Sequence, residues 1–363
     1  MLETSSLNSS RKRIALIPGD GIGQEVIREA TKVMRATTAA FGREAVFTQF
    51  DWGAERFLRD GSTLPVDAAE MFSRDFDAIL LGALGDPRVP GNQHASDILL
   101  GLRQKLDLYV NLRPCILFDD DLTPLKGRGE KDIHFFVVRE NTEGLYIGMG
   151  GLFKKGTADE IASQVDVNTR KGVERIVRYA FEFARRRGFT RVCMSDKSNA
   201  LTFGHDLWQR VFAQVRLEYE EIDSSHLYID NLLLQMVRDP SQFQVIVTCN
   251  LFGDLASDLG AQLAGGLGLA PSGNIHPGRV SMFEPVHGSA PALSGKNVAN
   301  PMGAVLSAAM MFEYFGWDSE AYAIKDAVLA AIRERKTTSD IGGSLPTSAL
   351  GDWLAEHVSR NRR

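Results

Sequence analysis

The sequence has few cysteines and no long apolar run. Its three cysteines, Cys115, Cys193 and Cys249, are far apart and odd in number, so neither a disulfide framework nor a zinc-ligand spacing is predicted. The apolar stretch "IALIP" at 14–18 is too short for the core of a signal peptide, and no run approaches membrane-spanning length. These absences predict a cytoplasmic protein in a reducing compartment, with no membrane partner.

A basic excess is also missing. The chain carries 41 Lys and Arg against 46 Asp and Glu, a net charge of −5, so little is available to offset nucleic-acid phosphates. Nucleic-acid binding as the main role is therefore excluded. The length of 363 residues and the hydrophobic content of 44% allow two domains with a sizeable buried core.

One glycine is missing from the stretch "RIALIPGDGIGQEV" at 13–26. Gly19 and Gly21 fit the first two places of the dinucleotide fingerprint Gly-x-Gly-x-x-Gly, but Gln24 occupies the third and Gly23 comes one place early. The fingerprint needs a residue without a side chain where helix and strand pack closely. The sequence here predicts a plain glycine-rich turn between a strand and a helix.

Short apolar strands alternate with helical patterns along the chain, which predicts the α/β class. The predicted strands cover 14–18, 77–84, 134–140, 191–196 and 243–250, and the predicted helices cover 24–41 and 170–187. Gly188 is expected to end the second helix. The glycine-rich segment 148–160 is predicted to be an irregular connection or a projecting hairpin.

Two acids follow the last of these strands, in "NLFGDLASDLG" at 250–260. Asp254 and Asp258 are four residues apart and share one face of a helix. Such a pair can hold Mg²⁺, which takes one or two carboxylates together with water or substrate oxygens. The alternative is a helix N-terminus with favourable acids.

Further polar residues have both a chemical and an ordinary interpretation. Arg103, Arg113 and Arg139 can bind carboxylates through the planar guanidinium fork if they converge, although single arginines are mostly surface residues. Lys197 directly follows a predicted strand, where open α/β sheets place their sites, and can act as a base. Tyr146 can donate a proton or be a half-buried aromatic residue.

The longest polar signal is "SMFEPVHGSAPALSGKNVANPMG" at 281–303. A loop of this kind, rich in glycine and stiffened by proline, can surround a planar ligand with backbone donors. Its candidate binding residues are Glu284, His287, Gly288, Ser289, Ala290 and Asn300. His287 has a structural hydrogen bond as its alternative role.

Taken together and in this order, "GDGIG", "NLFGDLASDL" and "FEPVHGSAP" resemble the β-decarboxylating dehydrogenases, the isocitrate/isopropylmalate dehydrogenase family. The resemblance extends from about residue 13 to "SDIGGSLPTSALGD" at 339–352. It implies two α/β domains around a central cleft, without a Rossmann fold. Residues 1–108 and 265–363 would form the cofactor-binding domain. Residues 109–264 would form the substrate, metal and dimerisation domain, with a projecting arm near 148–165.

The resemblance also implies a role for each candidate residue. Arg103, Arg113 and Arg139 match the arginines that bind the malate carboxylates, Tyr146 the proton donor and Lys197 the catalytic lysine. Asp230, Asp254 and Asp258 match the ligands of Mg²⁺ or Mn²⁺, and "EPVHGSAP" matches the NAD loop. In that family Lys197 and Asp230 enter the site from the partner subunit, so a homodimer with shared active sites is expected.

The expected reaction is the oxidative decarboxylation of a 3-substituted malate. Leu99 and Leu100 lie one helical turn before Arg103 and would offer an apolar wall to an isopropyl group, which favours 3-isopropylmalate and leucine biosynthesis. Two residues depart from the pattern of such enzymes. Ser96 stands where some of them have an acid, and Ala200 stands where a larger residue is expected near the alkyl group. Tartrate/D-malate dehydrogenases, other malate-analogue enzymes and a non-catalytic binding relative stay as alternatives, as does a purely structural role for both leucines.

Another departure concerns the cofactor. NAD-dependent members of this family place an acid directly after "HGSAP", where it accepts hydrogen bonds from the adenosine ribose, and NADP-dependent isocitrate enzymes place a lysine there. Here the position is Ala292, followed by Leu293. The sequence therefore predicts NAD as the cofactor, bound weakly and with poor discrimination against NADP.

Overall fold

The computed structural model describes residues 11–360, which contain twelve β-strands and eleven α-helices. The strands in chain order are β1 (Arg11–Gly19), β2 (Glu44–Gln49), β3 (Ala78–Ala83), β4 (Val110–Ile116), β5 (His134–Glu140), β6 (Gly150–Phe153), β7 (Ile161–Gln164), β8 (Arg191–Asp196), β9 (Asp223–Tyr228), β10 (Val245–Thr248), β11 (Pro271–Ile275) and β12 (Ser281–Pro285). The helices are α1 (Gly23–Phe41), α2 (Ala54–Asp60), α3 (Ala68–Asp75), α4 (Gln93–Lys105), α5 (Arg170–Arg187), α6 (Gly204–Val215), α7 (Ile229–Arg238), α8 (Asn250–Leu263), α9 (Met302–Tyr314), α10 (Asp318–Arg333) and α11 (Thr347–Arg360). Within the described range, no helix is both long and apolar enough to cross a membrane.

The predicted α/β class is confirmed, and most of the predicted elements form. Helix α5 ends at Gly188, whose φ of 69° is left-handed, as the glycine cap predicted. Several boundaries differ from the prediction, two of them beside predicted site residues. The strand predicted over 243–250 spans only Val245–Thr248, because Asn250 already begins α8. The segment 281–303 begins with the buried strand β12 before the loop starts, because its side chains pack into the core.

The chain divides into two compact units. Unit one comprises residues 11–108, 116–130 and 261–360 of the described chain, and unit two comprises 109–115 and 131–260. The sequence had assigned 109–264 to one domain. The structure instead groups 116–130 and 261–264 with unit one, because these segments make most of their contacts there.

In unit one the strands follow the order β2-β1-β3-β12-β11. The first four are parallel, and β11 is antiparallel to β12. This order differs from the 3-2-1-4-5-6 order of a Rossmann domain. Helix α9 is buried along most of its length and packs on β11 and β12, so it covers one face of this part of the sheet.

In unit two the strands follow the order β4-β5-β10-β8-β9, with β5, β10, β8 and β9 parallel. The register sets Thr248 of β10 beside Arg139 of β5 and beside Ser195 of β8. The chain therefore leaves three neighbouring strands at the same edge, which is where open α/β sheets place their sites. Strands β6 and β7 form a separate exposed hairpin, the hairpin alternative predicted for 148–160.

The glycine-rich turn between β1 and α1 supports a loop of unit one. Gly21 has a φ of 54°, and a Cβ there would lie 2.0 Å from the carbonyl oxygen of Ser289. The next residue, Ile22, donates its N–H to that same oxygen at 2.8 Å. Glu25 in the first turn of α1 accepts the N–H of Gly295 at 2.5 Å. The turn thus anchors the loop that follows β12.

This contact predicts a large difference between two glycine substitutions. Gly21 and Gly42 are both left-handed, but nothing lies within 4 Å of a Cβ built on Gly42. Gly42→Ala should cost about 1–2 kcal/mol of unfolding free energy from backbone strain alone. Gly21→Ala should cost roughly 1–3 kcal/mol more, because the new methyl group displaces backbone. Urea denaturation of both variants measures the difference, and equal losses would contradict the close contact.

Candidate active site

Helix α8 carries the two predicted acids at the sheet edge of unit two. Asp254 and Asp258 lie one turn apart on the same helix face. A Cβ on Gly253 would lie 2.5 Å from side-chain carbons of Arg139, so the glycine allows the β5 arginine to lie against the helix. Packing against Arg139 thus explains the glycine at the fourth position of the motif Asn-Leu-Phe-Gly-Asp.

Two buried arginines converge on this acid pair. Arg139 is 1% exposed, donates to Asn250 Oδ1 at 2.7 and 3.0 Å, and forms an ion pair with Asp254 Oδ1. Arg113 of β4 lies 3.1 Å from the same oxygen and 3.3 Å from Asp258 Oδ1. The buried Nε of Arg113 has no hydrogen-bond partner within residues 11–360.

Tyr146 completes this cluster. Its hydroxyl donates to Asp254 Oδ2 at 3.1 Å, and the Arg139 guanidinium lies 5.5 Å from its ring centroid. Burial, followed by the nearby Asp254 charge, raises the pKa of Tyr146. Burial also raises the pKa of Asp258, against the opposing effect of Arg113. The phenol therefore keeps its proton at neutral pH and is available as a proton donor.

Lys197 and Asp230 form a second, separate pair. Lys197 directly follows β8, and Asp230 lies in the first turn of α7. The Lys197 ammonium contacts Asp230 Oδ1 and lies 5.9 Å from the Tyr228 ring centroid. The hydrogen bond from Lys197 lowers the pKa of Asp230. Both side chains are partly open to solvent.

The single chain does not assemble all three predicted metal ligands. Asp254 and Asp258 are together, whereas Asp230 pairs with Lys197. Across residues 11–360, no group of three His, Cys, Asp or Glu side chains is placed to hold a metal ion. An aspartate contributed by a second subunit is one arrangement that fits this separation, and it stays a prediction.

In unit one the structure joins two residues that the sequence had assigned to different ligands. Arg103 of α4 donates through Nη2 to Glu284 Oε1 of β12 at 2.9 Å. Asn274 of β11 donates to the same oxygen at 2.8 Å. The Nε of Arg103 is buried and, within the described residues, has no hydrogen-bond partner. Sequence reasoning missed Asn274, because its strand contained no recognisable motif.

The two leucines before Arg103 have different surroundings. Leu99 is partly buried and packs against the core cluster of unit one. Leu100 is half-buried and does not belong to that cluster. The structural alternative therefore holds in part for Leu99, whereas Leu100 lies outside the core cluster.

The loop after β12 presents backbone and imidazole groups. His287 donates through Nδ1 to the carbonyl oxygen of Gly288 at 3.0 Å, which leaves the buried Nε2 without a partner among residues 11–360. Burial lowers the pKa of His287, so the ring is neutral and Nε2 is an acceptor. Nothing lies within 4 Å of a Cβ built on Gly288, and Ala290 adopts a left-handed φ of 38°. Ser289 is held by the glycine-rich turn.

Both polar atoms of the Asn300 side chain make hydrogen bonds within unit one. Its Oδ1 accepts the N–H of Met302 at 3.0 Å at the start of α9, and its Nδ2 donates to Asp340 at 3.0 Å.

Asp20 also organises unit one, since it accepts the N–H groups of Ala54 and Gly85 and pairs with buried His94. Neither Asp20 nor Asp340 was singled out from sequence, although Asp20 is the acid inside "GDGIG".

Comparison with known proteins agrees with these features. A sequence model described as isocitrate/isopropylmalate dehydrogenase matches residues 13–354. A 3-isopropylmalate dehydrogenase of Thermobifida fusca is 46% identical over 349 residues, which is 96% of this chain and 98% of the relative. One of Streptomyces coelicolor is 46% identical over 351 residues, covering 95% and 98%.

A solved structure is similar over the same length. The crystal structure of isocitrate dehydrogenase from Methylococcus capsulatus has a TM-score of 0.87 and 36% identity, and the match covers 96% of this chain and 99% of that one. The family resemblance drawn from the motifs is therefore confirmed. The chain belongs to the isocitrate/isopropylmalate dehydrogenase family.

Proposed function

We propose that this chain oxidises and decarboxylates 3-isopropylmalate, with NAD as electron acceptor and Mg²⁺ or Mn²⁺ as metal, in leucine biosynthesis. The convergence of Arg113, Arg139 and Tyr146 on the α8 carboxylates carries the proposal. The named activity of the relatives at 46% identity supports the choice of substrate.

Charge balance supports a dianionic substrate bound together with a divalent cation. Arg113 and Arg139 bring two positive charges, and Asp254 and Asp258 bring two negative charges. A diacid and a divalent cation add two charges of each sign, so the cluster stays neutral when both bind. A diacid without the cation would face two carboxylates in a partly buried place, which is costly.

The residues fit the two groups that the reaction needs. Carboxylate oxygens are the ligands that Mg²⁺ and Mn²⁺ prefer, so Asp254 and Asp258 would hold the metal, with Asp230 of a second subunit. The bound metal would supply Lewis acidity toward the substrate oxygens. In the other unit, the open backbone at Gly288 and the free acceptor on His287 suit NAD, which would take up the hydride.

The chain's own side chains would do the rest. Arg113 and Arg139 would bind and orient the substrate carboxylates, and Arg103 of α4 is a further candidate for binding a carboxylate. Lys197, in its neutral amine form, would accept the proton of the 2-hydroxyl group and become an ammonium as the hydride leaves the adjoining carbon. The bond to the 3-carboxylate then breaks as CO₂ leaves, and Tyr146 would protonate the carbon that retains the electron pair.

The proposal also implies an oligomeric state and a cellular compartment. Lys197 and Asp230 form one pair and the α8 cluster another, so a homodimer would complete each site from both subunits. The cysteines Cys115, Cys193 and Cys249 are free and buried, in keeping with a reducing cytoplasm. The alternative substrates are tartrate and D-malate, and a measured preference for either one would replace 3-isopropylmalate in this proposal.

The apolar wall predicts a substrate-specific loss in two leucine variants. Leu100→Ala and Leu99→Ala should each lower kcat/KM for 3-isopropylmalate by about 10- to 200-fold, the usual effect of small apolar groups in a pocket. D-Malate, which lacks the isopropyl group, is the matched control, because a general defect would affect both substrates equally. An unchanged ratio of the two kcat/KM values would remove the leucines from the substrate site.

The shared site predicts complementation between two inactive variants. Lys197→Ala and Asp254→Asn should each abolish turnover, but a hybrid dimer would contain one site with both native residues. After random subunit exchange, about a quarter of the wild-type activity should return, since half of the dimers are hybrids with one good site. The control is the Lys197→Ala enzyme taken through the same subunit exchange without the second variant. Hybrids that form yet stay inactive would refute the shared site.

The loop predicts weak ribose recognition. Ala292 is exposed in the short turn Pro291–Leu293, so an aspartate fits there without repacking. Ala292→Asp should tighten NAD binding by about 1–3 kcal/mol through new ribose hydrogen bonds and weaken NADP binding. Ala292→Asn separates hydrogen bonding from charge. Calorimetric Kd values for both cofactors, alongside kcat/KM, measure the effect, and a wild-type preference for NADP would overturn the NAD assignment.

A further inference from the structure

The backbone of Lys197 is held on both sides of its Cα atom. Its carbonyl oxygen accepts the N–H groups of Ala200 and Leu201 at 2.9 and 2.8 Å. Its own N–H donates to Nδ1 of His205 at 2.9 Å. The lysine therefore starts from a turn that is closed by a side chain from α6, eight residues later in the sequence.

His205 is placed to accept a hydrogen bond through Nδ1. The ring is 1% exposed and lies 5.3 Å from the Phe252 ring centroid. Since Nδ1 accepts the Lys197 N–H, the ring proton lies on Nε2, which is 3.8 Å from Asp166 Oδ2. Burial lowers the pKa of His205, against the charges of Asp166 and Asp196, so the neutral ring with a free Nδ1 lone pair is favoured.

A second buried acceptor holds the following residue. Asp196 is fully buried at the end of β8 and accepts the N–H of Ser198 at 3.1 Å. Gln209 of α6 and His226 of β9 bond to the same carboxylate. Two consecutive N–H groups are thus fixed by two different side chains, and among the described hydrogen bonds His205 alone accepts that of Lys197.

We infer that His205 is a positioning residue for Lys197, an inference that rests on the proposed role of Lys197 as the base. It fixes the backbone from which the lysine side chain extends past the Tyr228 ring to Asp230. A base displaced by about 1 Å loses on the order of 100-fold in rate. Loss of the imidazole acceptor should therefore act on kcat more than on substrate binding.

Three substitutions separate this role from simple packing. His205→Leu keeps an apolar filling without an acceptor. His205→Asn places an amide oxygen where Nδ1 lies, and His205→Gln places it near Nε2 instead. We expect kcat to fall about 10- to 100-fold in the Leu and Gln variants, with KM for hydroxy acid and NAD changed less than threefold, and the Asn variant to recover most of kcat.

Hydrogen–deuterium exchange supplies a readout that does not depend on turnover. The amide of Lys197 should exchange at least tenfold faster in the Leu and Gln variants than in wild type and the Asn variant. Wild-type kcat and protection in His205→Gln, or equal defects in the Asn and Gln variants, would overturn the inference even if the Leu variant does not fold. Lys197→Ala distinguishes the two proposals, because an active Lys197→Ala enzyme refutes the proposed base itself.

Discussion

The central constraint in this molecule is that Asp254 must neutralise two buried arginines at once. Arg139 and Arg113 both contact Asp254 Oδ1, and Tyr146 donates to the other oxygen. Without such a partner, a guanidinium as buried as that of Arg139 would cost several kcal/mol. The requirement explains why α8 starts directly after β10, why Gly253 lies against Arg139, and why the acids occupy one helix face. The cluster that stabilises unit two is also the one proposed to bind the substrate and the metal.

Unit one obeys a different constraint, the fixing of a loop by backbone contacts. Gly21 lies against Ser289, Ile22 donates to the same carbonyl group and Glu25 holds Gly295. The role of this glycine-rich turn therefore differs from that of a phosphate-binding turn. It supports the loop that carries His287 and Gly288, which are proposed to contact the cofactor. Asp20 extends this support to the segments at Ala54 and Gly85.

Sequence reasoning went furthest where periodicity and strand ends determine position. The helical spacing of Asp254 and Asp258, the position of Arg139 near the end of its strand and the glycine cap of α5 all follow from local rules. It could not find Asn274, Asp20 or His205, because each acts through a partner far along the chain or through a turn without a recognisable pattern. It also assigned Arg103 and Glu284 to different ligands, since only the fold brings α4 and β12 together.

The cluster on α8 is proposed to turn over a 3-substituted malate with loss of CO₂. A panel of 2-hydroxy diacids, assayed with NAD and Mn²⁺ while NADH and CO₂ are both recorded, tests it most directly. We expect equal amounts of NADH and CO₂ and the highest kcat/KM for 3-isopropylmalate, with both signals lost in excess chelator. NADH formation without CO₂, undiminished rates in chelator, or a preference for isocitrate or tartrate would contradict it.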